Sequence, residues 1–529
     1  MIDNARSNFK PEYRADLCIV GGGVAGITLA TELRESFGNI LVLESGEEHY
    51  HPDKQALYRA DKVSSGFPDP THSRLRMLGG SSNHWENNTS PLDAIDFERR
   101  AWVQNSGWPI KFDDVKPFYR KAAEYCGTGG DGYATDHWAD DSRIDVLRGS
   151  ALLQTSIAKA SSPPTRFFYQ HGEVLKQAST VSILQNATVV DADLNEAGDA
   201  IGCVYFESSP GKRARVRATC FVLCLGGIEN ARFLLALNDK YDNRIGNQFD
   251  NVGRYFMEHP TIRASHFFAA DTAELAIYQN NRLPDRNVVG FMQLTDEALR
   301  ENQLTNLRMP LHPANNYVLS EGISSFHVVK DALTDGEIPD AFGTHLVSLL
   351  SDLDMVIEAI SRKSFDKRLF SHAQEPGGFQ MVAMMEQTPS RNNRILLGQS
   401  KDAYGMRRVA IDWRVEQADK DRAWQCLELA AREIGARSLG RVRLLKQFDD
   451  RVWGSQLGFA HHHMGTTRMG ESAEKAVVDR NGRIFGINNF YVAGSSVFTT
   501  GGHVPPTLTI VALTIRLARE LEAKYASSE

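Results

Sequence analysis

The chain predicts an α/β (α+β) protein of two lobes: a Rossmann-like nucleotide lobe and a lobe built on an antiparallel sheet. Three observations carry this expectation. A short apolar run at residues 16–20 leads into Gly21-Gly22-Gly23-Val24-Ala25-Gly26 and then into the helical spacing Ile27, Leu29, Ala30, Leu33. From about Glu258 to Trp453 such glycine fingerprints stop and alternating apolar segments replace them. With 529 residues, the chain also exceeds what one ordinary core encloses.

The nucleotide element reads as strand, G-x-G-x-x-G turn and helix, followed by a second apolar strand at 40–43 that ends on Glu44. Gly21 permits the tight turn, Gly23 lets a phosphate approach the backbone, and Gly26 lets helix and strand pack closely. The pyrophosphate then rests on the helix N-terminus at Val24 and Ala25, while Glu44, with Ser45 beside it, accepts from ribose hydroxyls. The fingerprint specifies a dinucleotide and does not separate FAD from NAD.

Downstream, residues 186–194, 201–206 and 214–224 read as hairpin strands, with a turn at Ser208-Ser209-Pro210-Gly211. In the second lobe, 262–268, 288–294, 379–385, 395–397 and 409–413 read as strands of an antiparallel sheet. Residues 419–434 read as a helix against it, and 340–360 also has helical spacing.

Composition narrows the class. The chain is 42% apolar and 24% charged, as soluble globular proteins are, and its formal charge of -7 implies no general attraction to nucleic acid or anionic membrane. The basic run Lys212, Arg213, Arg215, Arg217 alternates with Ala214 and Val216, as the wet face of a strand does. Six scattered cysteines form no C-x-x-C pair and read as buried thiols of a reducing compartment. With neither a leader-like apolar segment nor a stretch able to span a bilayer, a cytoplasmic enzyme is the expectation.

Near the end stand His461-His462-His463-Met464-Gly465-Thr466-Thr467-Arg468-Met469-Gly470 and Thr500-Gly501-Gly502-His503-Val504-Pro505-Pro506-Thr507-Leu508-Thr509. Together with the first glycine fingerprint and with Gly79-Gly80-Ser81-Ser82-Asn83-His84-Trp85, this pair resembles the glucose-methanol-choline (GMC) flavin oxidoreductases, nearest in style to the branch that oxidises pyranoses and fructose. The resemblance implies FAD as cofactor. It implies a discontinuous FAD domain (11–110, 181–257 and 454–529), with 111–180 and 258–453 supplying the substrate lobe and connections. It places Gly79, Gly80, Ser81, Asn83 and His84 along the flavin, and Val189 and Gly226 on the adenine side. Gly494, Ser495, Pro505 and Thr507 complete the cofactor contacts. In some relatives the histidine at the His84 position is bonded covalently to the flavin; in others it only packs or hydrogen-bonds near the ring, and the sequence leaves both open.

Hydride transfer from an alcohol requires loss of the hydroxyl proton, a task suited to histidine. The family's catalytic histidine aligns with His462, whose neighbours His461 and His463 point elsewhere if the segment is extended. A metal site built on the three histidines is poor geometry, because consecutive side chains diverge, and no metal is expected. The family's second histidine or asparagine aligns with Pro505, which has no donor or acceptor side chain. His503 is then either its substitute or an ordinary loop histidine. The tandem prolines suit the start of a helix over 508–522, whose positive end would face the flavin. These features imply an FAD-dependent enzyme oxidising a CH-OH group of a polar, sugar-like small molecule, with oxygen or another electron acceptor. Rival readings are another flavin oxidation that forms a ring or double bond, an NAD enzyme sharing the first βαβ unit, and a flavin-binding protein without turnover. Oligomeric state is not legible.

Overall fold

The computed structural model describes residues 1–526 apart from 65, 139, 142, 145, 280–286, 335, 340, 366 and 367. Its first sheet is built around β1 (Glu12–Val20), which continues through the glycine turn into α1 (Val24–Leu33). On one side of β1 lie β2 (Ile40–Leu43), Val181–Gln185 and the edge strand Ile2–Asn4. On the other lie β3 (Lys212–Leu223), Ile201–Ser209 and Thr188–Leu194, with Phe490–Val492 pairing the last residues of β3. From Ile2–Asn4 to β3, and on to Phe490–Val492, every pairing is parallel; the Thr188–Ser209 hairpin is antiparallel. The runs 17–20, 40–43 and 220–223 are wholly buried, which explains why they read as continuous apolar stretches.

Val20 stands opposite both Leu43 and Leu223. Three strands therefore end at one level, and the turns that follow them form a common rim at the carboxyl edge of the sheet, where open α/β sheets bind ligands. Gly21 takes φ +110°, and a Cβ there would stand 2.6 Å from the Cys224 carbonyl oxygen. The turn out of β3 leads into α2 (Gly226–Lys240).

The second sheet runs Gly440–Leu444, β4 (Pro260–Ala269), β5 (Pro376–Met385), Leu307–Met309, Val288–Leu294 and Leu153–Lys159, antiparallel throughout. Leu311–Asn315 adds to β5 and Leu457–Phe459 to β4. Each sheet has its own hydrophobic core. The last helix, α3 (Thr507–Tyr525), packs against α1 and Lys116–Tyr125 in the first core.

Several segments depart from the expected lobes. Arg394–Lys401 and Arg407–Asp412 join Lys62–Val63 in a separate three-stranded sheet, and Ile395, Val409, Ile411 and Trp413 enter the first core. Leu457–Phe459, expected in the first lobe, hydrogen-bonds to β4. Alternation marks a strand but carries no information on which sheet it joins. The helix expected over 419–434 extends to Gln417–Ala436. The 340–360 pattern, whose first residue lies outside the described residues, forms Phe342–Ser351 and Leu353–Phe365, broken at Asp352, with Phe342, Leu346, Val347 and Leu350 exposed. All six cysteines are buried and unpaired, and no helix among the described residues is long and apolar enough to cross a membrane.

The contact between turn and helix can be tested directly. A Cβ on Gly26 would sit 1.9 Å from the Gly21 carbonyl oxygen, so Gly26→Ala must displace α1 from the turn. The expected outcome is a fall in thermal midpoint together with loss of nucleotide retention through gel filtration. Unchanged retention would show that the turn tolerates displacement.

Candidate functional site

A cavity of about 640 Å³ extends from the carboxyl edge of the first sheet to the face of the second lobe. At the sheet end it is lined by Gly21, Gly23, Val24, Ala25, Glu44, Ser45, Val189 and Gly226; towards the second lobe Gly80, Ser81, His84, Trp85, His462, Gly494, Ser495, Pro505 and Thr507 follow. Three of the cofactor residues expected from sequence lie behind this surface. Gly26 is the helix contact, Asn83 holds the glycine turn by donating to the carbonyls of Leu78 (2.8 Å) and Gly80 (3.0 Å), and Gly79 begins that turn at φ +85°. Gly23 faces open space where a Cβ would stand, so its backbone is bare to the cavity. The Glu44 carboxylate accepts from the N–H groups of Gly22 (2.8 Å) and Gly46 (2.6 Å), which fixes its orientation at the rim.

Beside the rim, Arg74, Arg76 and Arg232 converge on Glu229, at 3.0, 2.8 and 3.2 Å. Burial favours the protonated form of Glu229, but the guanidiniums of Arg232, Arg76 and Arg74 hold it down to about 2. Arg76 also reaches Ser45 Oγ (3.2 Å), and its buried Nε has no partner. Bare glycine backbone, an oriented acid, buried cations and the start of α3 on one continuous cavity fit a dinucleotide whose flat ring reaches the histidines. Trp85 packs edge-on against Phe167, and its Nε1 donates to the Thr165 carbonyl at 2.6 Å.

The histidine segment is positioned by backbone pairing. Met257 and Met464 exchange both N–H to carbonyl hydrogen bonds at 3.0 Å, and Gly465, at φ +85°, admits the Tyr255 carbonyl where a Cβ would clash. Gly227, where α2 begins, likewise leaves room for the His463 carbonyl. The pairing sets Glu258 and His259 beside His462 and His463. Glu258 is fully buried and accepts from the backbone N–H of His462 (2.6 Å) and of His259 (2.8 Å). Burial pushes its carboxyl up to about 8, against the pull of those N–H groups.

His462 lines the cavity, and its Nδ1 lies 2.8 Å from Nδ1 of His259. His259, fully buried, brings Nε2 to 3.2 Å from the Gly501 carbonyl oxygen. A carbonyl only accepts, so His259 carries its proton on Nε2 and offers Nδ1 as acceptor. His462 must then donate from Nδ1, and its Nε2 is left as a lone pair for the cavity. Both rings are neutral: burial, first of all, drives His259 down to about 3 and His462 well below the usual range, with Arg308 adding to each. Sequence reading missed His259; its one signal was the polar pair Glu258-His259 set at the head of a strand.

His461 is not in an extended conformation but at φ +61°, with its side chain exposed on the cavity. His461, His463 and Glu258 bring one potential ligand atom each within 4.8 Å of one another. Ligand atoms around a zinc ion lie roughly 3.4 Å apart, from bond lengths of about 2.1 Å, so closing this set on a metal requires movement. His503 faces the other way. It is fully buried, lies outside the cavity lining, and its Nε2 is 3.1 Å from Asp93 Oδ2. Asp93 also accepts from Gln293 and Asn306, both at 3.0 Å; burial favours its protonated form, but His503 and these donors keep it ionised. Pro505 lines the cavity directly, and α3 begins two residues later.

Residues 389–514 match the family model described as GMC oxidoreductase. Over nearly its whole length the chain is 22% identical to 2-methyl-1,2-propanediol dehydrogenase of Mycolicibacterium austroafricanum, covering 97% of this chain and 96% of the relative. It is 29% identical to paromamine 6'-oxidase of Streptomyces fradiae, covering 97% and 92%. Among solved structures it is similar to pyridoxine 4-oxidase from Mesorbium loti, with a TM-score of 0.60 and 17% identity over 96% of this chain and 99% of that one. At that identity the likeness speaks to the fold.

Glu258 makes a pH-dependent prediction. Its folded value, about 8 against an ordinary 4.5, means that its stabilising contribution is complete below the ordinary value and is lost as pH rises through about 8. Glu258→Gln keeps an acceptor for the two N–H groups and does not titrate. The difference in thermal midpoint, variant minus wild type, should therefore become more positive between pH 5.5 and pH 9, whereas a pH-independent difference would refute the buried protonated acid.

Proposed function

We propose that this chain, which belongs to the GMC oxidoreductases, binds FAD in the cavity and oxidises a CH-OH group of a polar, sugar-like small molecule. The observation that carries the reading is the 2.8 Å contact of His462 Nδ1 with His259 Nδ1, which assigns the free lone pair to Nε2 of a histidine lining a cavity whose other end suits a dinucleotide. Relatives named for diol and aminoglycoside oxidation support the hydroxyl substrate.

Gly21, Gly23, Val24, Ala25 and Glu44 would hold the pyrophosphate and ribose of FAD; Ser45, Val189 and Gly226 its adenosine side; and Gly80, Ser81, His84, Gly494, Ser495, Pro505 and Thr507 the flavin side. Bound there, FAD supplies a hydride acceptor. His462 takes the substrate hydroxyl proton on Nε2 while donating from Nδ1 to His259, so the proton it receives goes to the nitrogen facing the substrate. His259 acts through His462 and is a positioning residue: it selects the tautomer, as the carboxylate does in hydrolytic triads. The N-terminus of α3, which lines the cavity at Thr507, would place positive backbone dipole towards a ring bound there and favour a negative charge on it. His84, its proton affinity lowered first by burial and then by His461, is the residue through which a covalent flavin link would form. His503, held by Asp93 outside the cavity lining, contributes to the shape of the 500–506 loop in this reading.

The test is anaerobic bleaching of the yellow protein by a panel of polyols and glycosides. One or more members should reduce the flavin in wild type, and His462→Ala should slow that reduction by roughly two to four orders of magnitude with flavin still bound. Near-normal reduction in the variant would remove His462 from the chemistry. His259 gives an independent expectation. His259→Asn, whose carbonyl oxygen occupies the place of Nδ1, should keep most of the rate, while His259→Leu, which offers no acceptor, should lose about tenfold or more in reduction rate with little change in substrate affinity. Equal rates in the two variants would show that the tautomer is not set from this side.

A further inference from the structure

Arg308 is the anomaly of the cavity. It sits on the short strand Leu307–Met309 of the second sheet, paired with Gln293 and Met384, and is 4% exposed while lining the cavity. Its Nε points to the Met384 sulfur at 3.2 Å, its guanidinium lies 4.3 Å over the Phe291 ring, and its Nη1 has no hydrogen-bond partner. No carboxylate among the described residues lies within ion-pair distance of it. Arg74 and Arg76 are paired with Glu229, Arg232 with Glu229 and Asp402, and Arg100 with Glu386; Arg468, also buried without a carboxylate, donates to the Asn105 carbonyl, lies over the Tyr255 ring and is outside the cavity lining.

Burying a guanidinium without a counter-charge is costly in a folded protein, and Arg308, unlike Arg468, lines a cavity from which a partner can arrive. The cations nearest to where FAD would lie, Arg74, Arg76 and Arg232, stand at the opposite end of the cavity. Arg308 instead shares its wall with Thr261, Met384 and Phe459, on the second-lobe side, and its charge acts on both His259 and His462. Glu86, exposed at the rim, is the carboxylate whose charge acts on Arg308. Resting on the reading that His462 takes a hydroxyl proton, we propose that the substrate carries an anionic group, a carboxylate or a phosphate, close to the hydroxyl being oxidised, and that the Arg308 guanidinium binds it.

Three consequences follow from charge alone. The anion offers acceptors to the guanidinium and offsets the buried cation. It also screens His462 from Arg308 at the moment His462 becomes an imidazolium, so the same contact that binds the substrate favours proton uptake. Cationic amino sugars, by contrast, meet a like charge at this wall, which separates this chain from a relative named for oxidising paromamine.

The experiment uses the flavin-loaded protein and two non-oxidisable probes, acetate and inorganic phosphate, in equilibrium titrations by calorimetry, with thermal midpoints recorded alongside. Wild type should bind at least one probe saturably and gain thermal stability from it. Arg308→Met should weaken that binding about tenfold or more, with Arg308→Lys in between, and without probe Arg308→Met should melt no lower than wild type, since it removes an uncompensated buried charge. Which probe binds distinguishes a carboxylate from a phosphate. In anaerobic flavin reduction, glycerate or glycerol phosphate should outperform glycerol in wild type, and that preference should vanish in Arg308→Met. Probe binding that is absent or unaffected by both variants, or a wild-type preference for glycerol, would overturn the proposal. Arg308-dependent probe binding without flavin reduction by any hydroxyl compound would uphold the anion site and overturn the alcohol-oxidation reading instead.

Discussion

The pairing of Met257 with Met464 is the constraint on which the site depends. It is only one antiparallel bridge, yet it joins the segment entering the second sheet to the segment returning to the first lobe. Two relations across the bridged segments descend from it: the His462 N–H on Glu258 and the contact between His259 and His462. Glycines at 227 and 465 make the approach sterically feasible, because a side chain at either position would drive the two segments apart. A side chain positioned in this way owes little to the flexibility of its own loop.

Electrostatically the cavity has two ends of different character. At the sheet rim, buried cations are matched by Glu229 and Asp402, and the carboxylate of Glu229 stays ionised because three guanidiniums surround it. At the histidine end, buried groups are kept neutral instead: two imidazoles without protons to spare and a carboxyl that burial pushes up to about 8. Arg308 is the exception at that end, a charge without a counter-charge. The first arrangement suits a permanently bound polyanionic cofactor, and the second a reaction in which a proton must move to a neutral acceptor.

Proline at 505 and histidine at 503 divide the 500–506 loop between the cavity and its support. Pro505 reaches the cavity but brings no side-chain polar atom, and His503 is held by the ionised Asp93, which also accepts from Gln293 and Asn306 of the second lobe. The polar support that His462 does have comes from His259, reached from the opposite wall. The imidazole partner of His462 is thus supplied from the Met257 segment.

From sequence alone, the features legible were those a short stretch of backbone decides for itself. The glycine fingerprint at 21–26, the acid at Glu44, the buried strands, the helix behind the tandem prolines and the position of His462 in its motif all depend on local conformation or on spacing along the chain, and the structure places most of the residues so chosen on one cavity. What only the tertiary structure decided are the relations between distant segments. His259 meets His462 across 203 residues, Arg308 enters the cavity through the register of a three-residue strand, His503 turns towards Asp93, and the 394–412 hairpin joins the first core rather than the second sheet. No local propensity encodes such contacts, because each is selected by which strands pair and in what register, and a one-residue shift would face each strand side chain the other way.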